Sequence, residues 1–363
     1  MVQTIDPWGN QEVKVDNAFL KQFGLQKFSE TNQKQFKNHF FERNLMICHR
    51  DFDKFYAALQ QKKRAVQLTG IASSGPLHLG HKVDLDFFLF IRSLGAESHL
   101  GICDIDAYVS RPDKKLDSMK KAKEIAVNNT AHALALGINK KEIYVQSQKP
   151  PRYYEFAFEL SKKMTENTFR AIYGHLDLGK LSANFLQYAD ILHYQLKEFG
   201  GECPTLTGIG IEQDPHARAS RDLVRRISYK MFLPSFAYFQ HQGGLKEGTK
   251  MSASEPHTAI FLDDSLESAK QKIQRAFSGG RESLEKHRKL GGIPEIDKSY
   301  EILRFHHPDS KLVEHVYTEY KTGKMLTSEL KKITIDFLTD FLSKHQAKVK
   351  KNLDTAEKIV YKK

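Results

Sequence analysis

One stretch constrains this chain more than any other: Gly70-Ile71-Ala72-Ser73-Ser74-Gly75-Pro76-Leu77-His78-Leu79-Gly80-His81. Before it, Ala65-Val66-Gln67-Leu68-Thr69 is short and β-leaning, and after it Val83 to Ile91 is long and mostly apolar. The patterns predict strand, glycine-rich turn, helix, in that order. Such a turn lets backbone approach a phosphate, and a helix start presents free N–H groups with a partial positive charge. Two imidazoles, His78 and His81, stand at that start. On these residues alone three readings are open: an accident of core or surface, a metal pair, and a nucleotide-phosphate site. Zinc would need further ligands.

The surroundings narrow the choice. Strand 65–70 leads into helix 78–94, and strand 97–103 leads through a polar loop into helix 114–136. A short strand lies within 139–146. Helices are expected near 153–163, 165–173 and 182–198, and strand 205–211 runs into a helix that opens at Pro215. Proline suits a first helical turn, where its missing N–H has no partner to lose. This alternation predicts a parallel sheet with helices on both faces, and ligands at the carboxyl ends of its strands. A helix is also expected over 53–61, with Asp51 or Asp53 as its N-cap.

After about residue 260 strand signals fade. Helical periodicity takes over at 264–277, 282–289, 297–305, 309–321 and 325 to about 350. The organisation expected is therefore a polar extension (1–45) with one or two helices, an α/β catalytic domain (46–260), and an all-helical domain (261–363). At 363 residues about two domains are expected.

Composition excludes some classes. No apolar run approaches the roughly 20 residues of a membrane span. The amino-terminal residues lack a basic-then-apolar export pattern, so a cytoplasmic location is expected. Cys48, Cys103 and Cys203 are odd in number and far apart, which suits a reducing compartment and no disulfide frame. The net charge of +12 favours a polyanionic partner such as RNA. The tail from Lys331 adds nine lysines against four acids, which is either a solvated face or an RNA surface.

A second informative stretch is Gly248-Thr249-Lys250-Met251-Ser252-Ala253-Ser254, preceded by Gly243-Gly244. It reads as a mobile loop. A lone lysine loop is usually solvated surface, but it is also what a reaction needs when charge builds on a leaving pyrophosphate.

His78-Leu79-Gly80-His81 with Lys250-Met251-Ser252-Ala253-Ser254 resembles the paired signatures of class I aminoacyl-tRNA synthetases. Gly210-Ile211-Glu212-Gln213-Asp214-Pro215-His216 through Asp222 resembles the tryptophanyl-tRNA synthetases of archaeal and eukaryotic type. So do Ala276 to Arg281, Gly291-Gly292, Met325 to Lys332 and Asp6-Pro7-Trp8. The resemblance covers nearly the whole chain. It implies a Rossmann-like catalytic domain, activation of L-tryptophan by ATP with Mg2+, transfer to tRNA(Trp), and a homodimer whose helical domain reads the anticodon.

The same resemblance implies roles. His78 and His81 contact the triphosphate, and Lys250 reaches the phosphates beside Ser252. Gly80 leaves room for the nucleoside, with Gly70 on the strand before it. Backbone around Met251 meets adenine, near Ser254. Glu212 takes a ribose hydroxyl, where the family usually carries Asp. Gln213 and Asp106 serve the α-amino group. Gln187 and Asp190 share a helix face, and Asp190 accepts the indole N–H. Two departures stand out: Leu68 replaces a tyrosine of the eukaryotic scheme, and Ala253 replaces a second lysine, leaving Lys250 helped by Lys82. A tyrosyl enzyme of the same fold is the near alternative. A small-molecule nucleotidyltransferase and a non-catalytic tRNA-binding paralogue are the others.

Overall fold

A computed structural model describes residues 15–110, 116–175, 177–252 and 255–362. Asp6-Pro7-Trp8, Ala253 and Ser254 lie outside them.

Among the described residues six strands form one sheet: β1 (Met46–Arg50), β2 (Val66–Ala72), β3 (Glu97–Cys103), β4 (Ile143–Val145), β5 (Thr205–Gly210) and β6 (Ser235–Phe239). The order is β1-β6-β5-β2-β3-β4, parallel except for β1 against β6. Among the described residues sixteen α-helices accompany it. They are α1 (Asn17–Phe23), α2 (Glu30–Gln35), α3 (His39–Glu42), α4 (Phe52–Gln60), α5 (Leu79–Ser93), α6 (Asp104–Ser110), α7 (Met119–Leu136) and α8 (Pro151–Ser161). Then come α9 (Glu166–Tyr173), α10 (Leu178–Leu192), α11 (Asp214–Arg226), α12 (Leu266–Arg275), α13 (Leu284–Leu290), α14 (Lys298–His306), α15 (Ser310–Lys321) and α16 (Thr327–Tyr361).

The Rossmann-like α/β architecture followed by helices is as the sequence predicts. The direction of winding reverses at β2: β3 and β4 lie on one side, β5 and β6 on the other. A cleft opens beyond the carboxyl ends of β5 and β6, at the end of the sheet where such folds bind ligands. The Gly70 turn and the Glu212 stretch both emerge there.

Several expectations change. β1 and β6 have no clear strand signal, because β6 is buried at all five positions and reads as an apolar run without alternation. The polar loop after β3 is instead helix α6, whose start is held from outside: Asp104 Oδ1 accepts from the N–H of Ser147 at 2.9 Å. Asp51 sits at the N-cap of α4 but at φ 53° and without capping it. Its carboxylate takes Arg221 at 2.7 Å and Lys54 at 2.9 Å. The last helix continues to Tyr361 rather than ending near 350. Its buried stripe runs on through Leu338, Leu342, His345, Val349, Ala356 and Val360, three to four residues apart over most of its length.

That stripe packs on α7, where Ala122, Ala126, Ala131, Ala133 and Ala135 leave room for close approach. Leu338, Leu342 and Val360 share one apolar cluster with Leu79, Leu100 and Ile102 beside the sheet. Asp263, His132 and His345 form a chain across this seam, with contacts of 2.8 Å each. The amino-terminal helices are clasped to α14. Arg43 donates to the carbonyls of Leu303, Arg304 and His307, and Arg304 donates back to the Arg43 carbonyl at 2.8 Å. A cation suits the orphan carbonyls of a helix end.

Candidate active site

Lys250 lies far from His78 in sequence, and backbone brings them to one corner. The Leu79 N–H donates to Ile260 O at 3.0 Å, and the Leu262 N–H donates to Leu77 O at 2.9 Å. His78 and Phe261 form a bridge, and so do Gly243 and Lys250. The chain leaving the lysine loop is thus stitched to the start of α5.

At that start the two imidazoles are in contact, with ring centroids 3.9 Å apart and planes tilted by 31°. The His78 N–H donates to His81 Nδ1 at 3.2 Å. His78 Nδ1 is buried and has no hydrogen-bond partner among the described residues. Burial, aided by the charge of His241, lowers the His78 pKa to about 4, so this ring is neutral near pH 7. The room at Gly80 is taken by that ring: a Cβ there would sit 2.9 Å from His78 Cε1 and Nδ1.

On the β5 side, Gly210 leads into a short 3-10 turn, Ile211–Gln213. The turn is pinned by the residue after it. Asp214 is buried and receives Arg50 in a fork (2.9 and 3.0 Å), the Tyr238 hydroxyl at 2.6 Å and Arg218 at 3.1 Å. Glu212 faces the crevice and pairs with His241 Nε2. Burial alone would raise the Glu212 pKa, but the bond and charge of His241 outweigh it and hold the carboxyl low. Glu212 in turn holds the His241 pKa up against burial. One turn after His81 on α5, Asp84 is pushed up to about 7 by burial, with Glu212 adding to it against the opposing charge of His241. A cleft of about 910 Å³ opens along Glu212, His241 and Lys250 toward Arg43, Lys298 and Arg304.

A second polar cluster lies deeper, beyond the ends of β3 and β4. Asp190, on α10, is buried. It does not face a single donor, as the sequence predicts. Its Oδ1 accepts from the hydroxyls of Tyr144 (2.7 Å) and Tyr153 (2.8 Å), and its Oδ2 from the Gln146 amide (2.9 Å) and, weakly, the Cys103 thiol (3.8 Å). Burial still raises the Asp190 pKa. Gln146 also accepts from the Asp106 N–H at 2.9 Å, so it ties the two acids together. Lys149 Nζ lies 3.8 Å from the centre of the Tyr144 ring and 2.7 Å from His193 Nε2. Burial lowers its pKa to about 8. Leu68 is buried and packs in the same apolar cluster as Tyr153 and Leu192.

The structure therefore puts Glu212, His241 and Lys250 on one cleft, with His78 near His241 and against His81, Gly80 against the His78 ring and Met251 buried next to Lys250, and it groups Asp106 and Asp190 around Gln146. Gln187 stands half-buried one turn before Asp190. Ser252 is half-buried beside Lys250, Gln213 adjoins Glu212, and Gly70 is exposed on β2. Ser254 lies outside the described residues. Sequence reasoning missed His241, Asp84, Gln146, Tyr144 and Tyr153. Only Asp84 carries a local signal, three residues after His81 on the same helix.

The family model for class I tRNA synthetases (W and Y) matches residues 60–343. The chain belongs to this family. It is 36% identical to the tryptophan–tRNA ligase of Aeropyrum pernix, over 99% of this chain and 98% of that one. It is 34% identical to the tryptophan–tRNA ligase of Methanocaldococcus jannaschii, over 98% of both. The crystal structure of a tryptophanyl-tRNA synthetase from Aeropyrum pernix superposes with a TM-score of 0.88, at 36% identity, over 99% of this synthetase and 98% of that chain. Among the described residues no helix of the synthetase is long and apolar enough to cross a membrane.

Proposed function

We propose that this synthetase activates L-tryptophan with ATP, giving tryptophanyl-adenylate and pyrophosphate, and transfers the tryptophanyl group to tRNA(Trp). The observation that supports this is the stitching of the segment leaving the Lys250 loop, through Ile260 to Leu262, to the start of the His78–His81 helix at the carboxyl end of a parallel sheet. A cation, two imidazoles and a helix start in one corner of the fold support a triphosphate site.

In this reading ATP enters as its Mg2+ complex. His78, His81, Lys250 and Ser252 hold the phosphates. The orphaned Nδ1 of neutral His78 supports a hydrogen bond rather than a charge contact. Gly70, Gly80, Met251 and Ser254 line the nucleoside, and Glu212 takes a ribose hydroxyl. Gln213 and Asp106 receive the α-amino group, with Gln187 and Asp190 on the indole side. The tryptophan carboxylate then attacks the α-phosphate and pyrophosphate leaves. No side chain need form a bond, so catalysis is positioning plus stabilisation of the charge on pyrophosphate. Because three donors at ordinary distance already hold Asp190, an indole N–H enters by displacing its weakest one, the Cys103 thiol.

We assign residues 1–45 to an extension, 46–260 to the catalytic domain, and 261–363 to a helical domain that reads the anticodon, with the lysine-rich tail as tRNA surface. We further assign a homodimer in the cytoplasm. The test is amino-acid-dependent ATP–pyrophosphate exchange, followed by charging of tRNA(Trp). Exchange with tryptophan and not tyrosine is expected. Exchange with tyrosine alone would overturn the substrate, and exchange with neither would overturn the enzyme.

A further inference from the structure

We propose that His241 is a positioning residue for ATP: it orients the carboxylate of Glu212 so that one oxygen is presented to the ribose. This rests on Glu212 as the ribose acceptor and names the residue that lets a glutamate do that work. Glu212 is one methylene longer than aspartate, so its carboxylate has one more free torsion, and ordering it costs entropy. A second contact must hold it if it is to meet a hydroxyl at a defined place.

His241 supplies that contact, and the fold builds the space for it. His241 Nε2 bonds Glu212 Oε1. A Cβ on Gly210 would fall 1.8 Å from His241 Nε2 and 2.6 Å from Glu212 Oε2, so both side chains occupy the volume that residue 210 leaves empty. His241 is held from either side. The Gln240 N–H donates to Leu45 O at 2.8 Å, and the buried Gln242 meets His306 Nε2 at 2.7 Å. With neighbours on both sides fixed, the ring has little freedom except about its own side-chain bonds. The Glu212 side chain is 9% exposed and His241 is 37% exposed, so the pair stands at the wall of the cleft. With Oε1 committed to His241, Oε2 is the oxygen left to accept from a sugar.

The groups facing His241 are Glu212 from the turn after β5, Asp84 and His78 from α5, and Lys250 from the loop. Glu212 holds its proton on, so the charged pair persists from below neutrality to above the ordinary imidazole range, and weakens as pH rises through the raised His241 pKa. Above that point the KM for ATP should climb. Asp84, which ionises near pH 7, contributes a step that a His241 variant keeps.

The experiment is tryptophan-dependent pyrophosphate exchange with ATP and with 2′,3′-dideoxy-ATP. His241→Ala is expected to raise the KM for ATP roughly tenfold, with kcat and the KM for tryptophan within about twofold. With the dideoxy nucleotide the penalty should vanish, since no hydroxyl remains to be met. His241→Gln, whose amide can donate in place of Nε2, should recover most of the loss and lack the limb above neutrality. Glu212→Gln separates the two ideas. If it leaves the KM for ATP unchanged, the ribose reading fails. If it raises that KM while His241→Ala does not, or if the alanine penalty is equal for both nucleotides, the role of His241 is overturned and the ribose reading stands. Should His241→Ala unfold, His241→Gln alone decides: wild-type KM together with an unchanged alkaline limb would also overturn the role.

Discussion

The two halves of the site are built in opposite ways. In the half we propose for the nucleotide, Glu212, His241 and Lys250 line an open cleft, Asp84 lies near Glu212 and His241, and His78 keeps a ring nitrogen without a partner among the described residues. In the half we propose for the indole, Asp190 is buried and saturated by Tyr144, Tyr153 and Gln146. An open charged wall suits a substrate that arrives with its own charges and leaves as two products. A saturated buried acid suits discrimination, because any ligand must replace a bond already made, and an ill-fitting one leaves a donor unpaired at about 1–3 kcal/mol. The first half opens to solvent; the second is closed around a buried acid.

Substitutions can break that contrast. The largest expected effect lies beneath the open side. Arg50→Ala leaves the buried Asp214 carboxylate without its fork and should lower stability by about 3–5 kcal/mol in denaturant unfolding. Folding that is barely altered would show that Asp214 does not anchor the Glu212 turn. Next, Lys250→Ala should lower kcat for pyrophosphate exchange by roughly 10²–10³ with thermal stability intact. Unchanged exchange would remove the loop from the chemistry. Asp190→Asn should act on the closed side only, raising the KM for tryptophan about 10- to 100-fold while the KM for ATP stays put. Equal losses for both substrates would mean that the two halves are one unit.

The smallest effect concerns Asp84, whose pKa is raised to about 7 mainly by burial. A raised carboxyl contributes stability that is complete below its unfolded value, about 4, and lost as pH rises through about 7. Asp84→Asn has no such loss. The difference in Tm between variant and wild type should therefore move in favour of the variant from pH 4.5 to pH 8. A constant difference would show that Asp84 ionises at its ordinary value.

Much of this was legible in the residues. The alternation of strand and helix from residue 65, the turn at Gly70–His81, the lysine loop and the helical second part all carry local patterns. Two things escaped. β1 and β6 are short, and β6 is placed by its pairing with β1 on one side and β5 on the other rather than by any period of its own. His241 follows β6, so losing the strand also lost the site residue. Gln146, Tyr144 and Tyr153 were hidden for a related reason: each lies on a different element from Asp190, and no spacing encodes that meeting.

By itself the sequence determined the fold class, the phosphate-type turn and the family likeness, since these rest on residue types at short spacing, where sterics and burial act locally. Only the tertiary structure decided how the parts meet. The hydrogen bonds between Leu79 and Ile260 and between Leu77 and Leu262 carry the lysine loop to the histidines. The empty volume at Gly210 lets His241 and Glu212 lie together. Strands β3 and β4, the turn after β4 and α8 bring four donors onto Asp190, which changes that residue from an acid awaiting one partner into the saturated centre of a network. Contacts between distant segments depend on the packing of the whole core, and no stretch of chain holds that information alone.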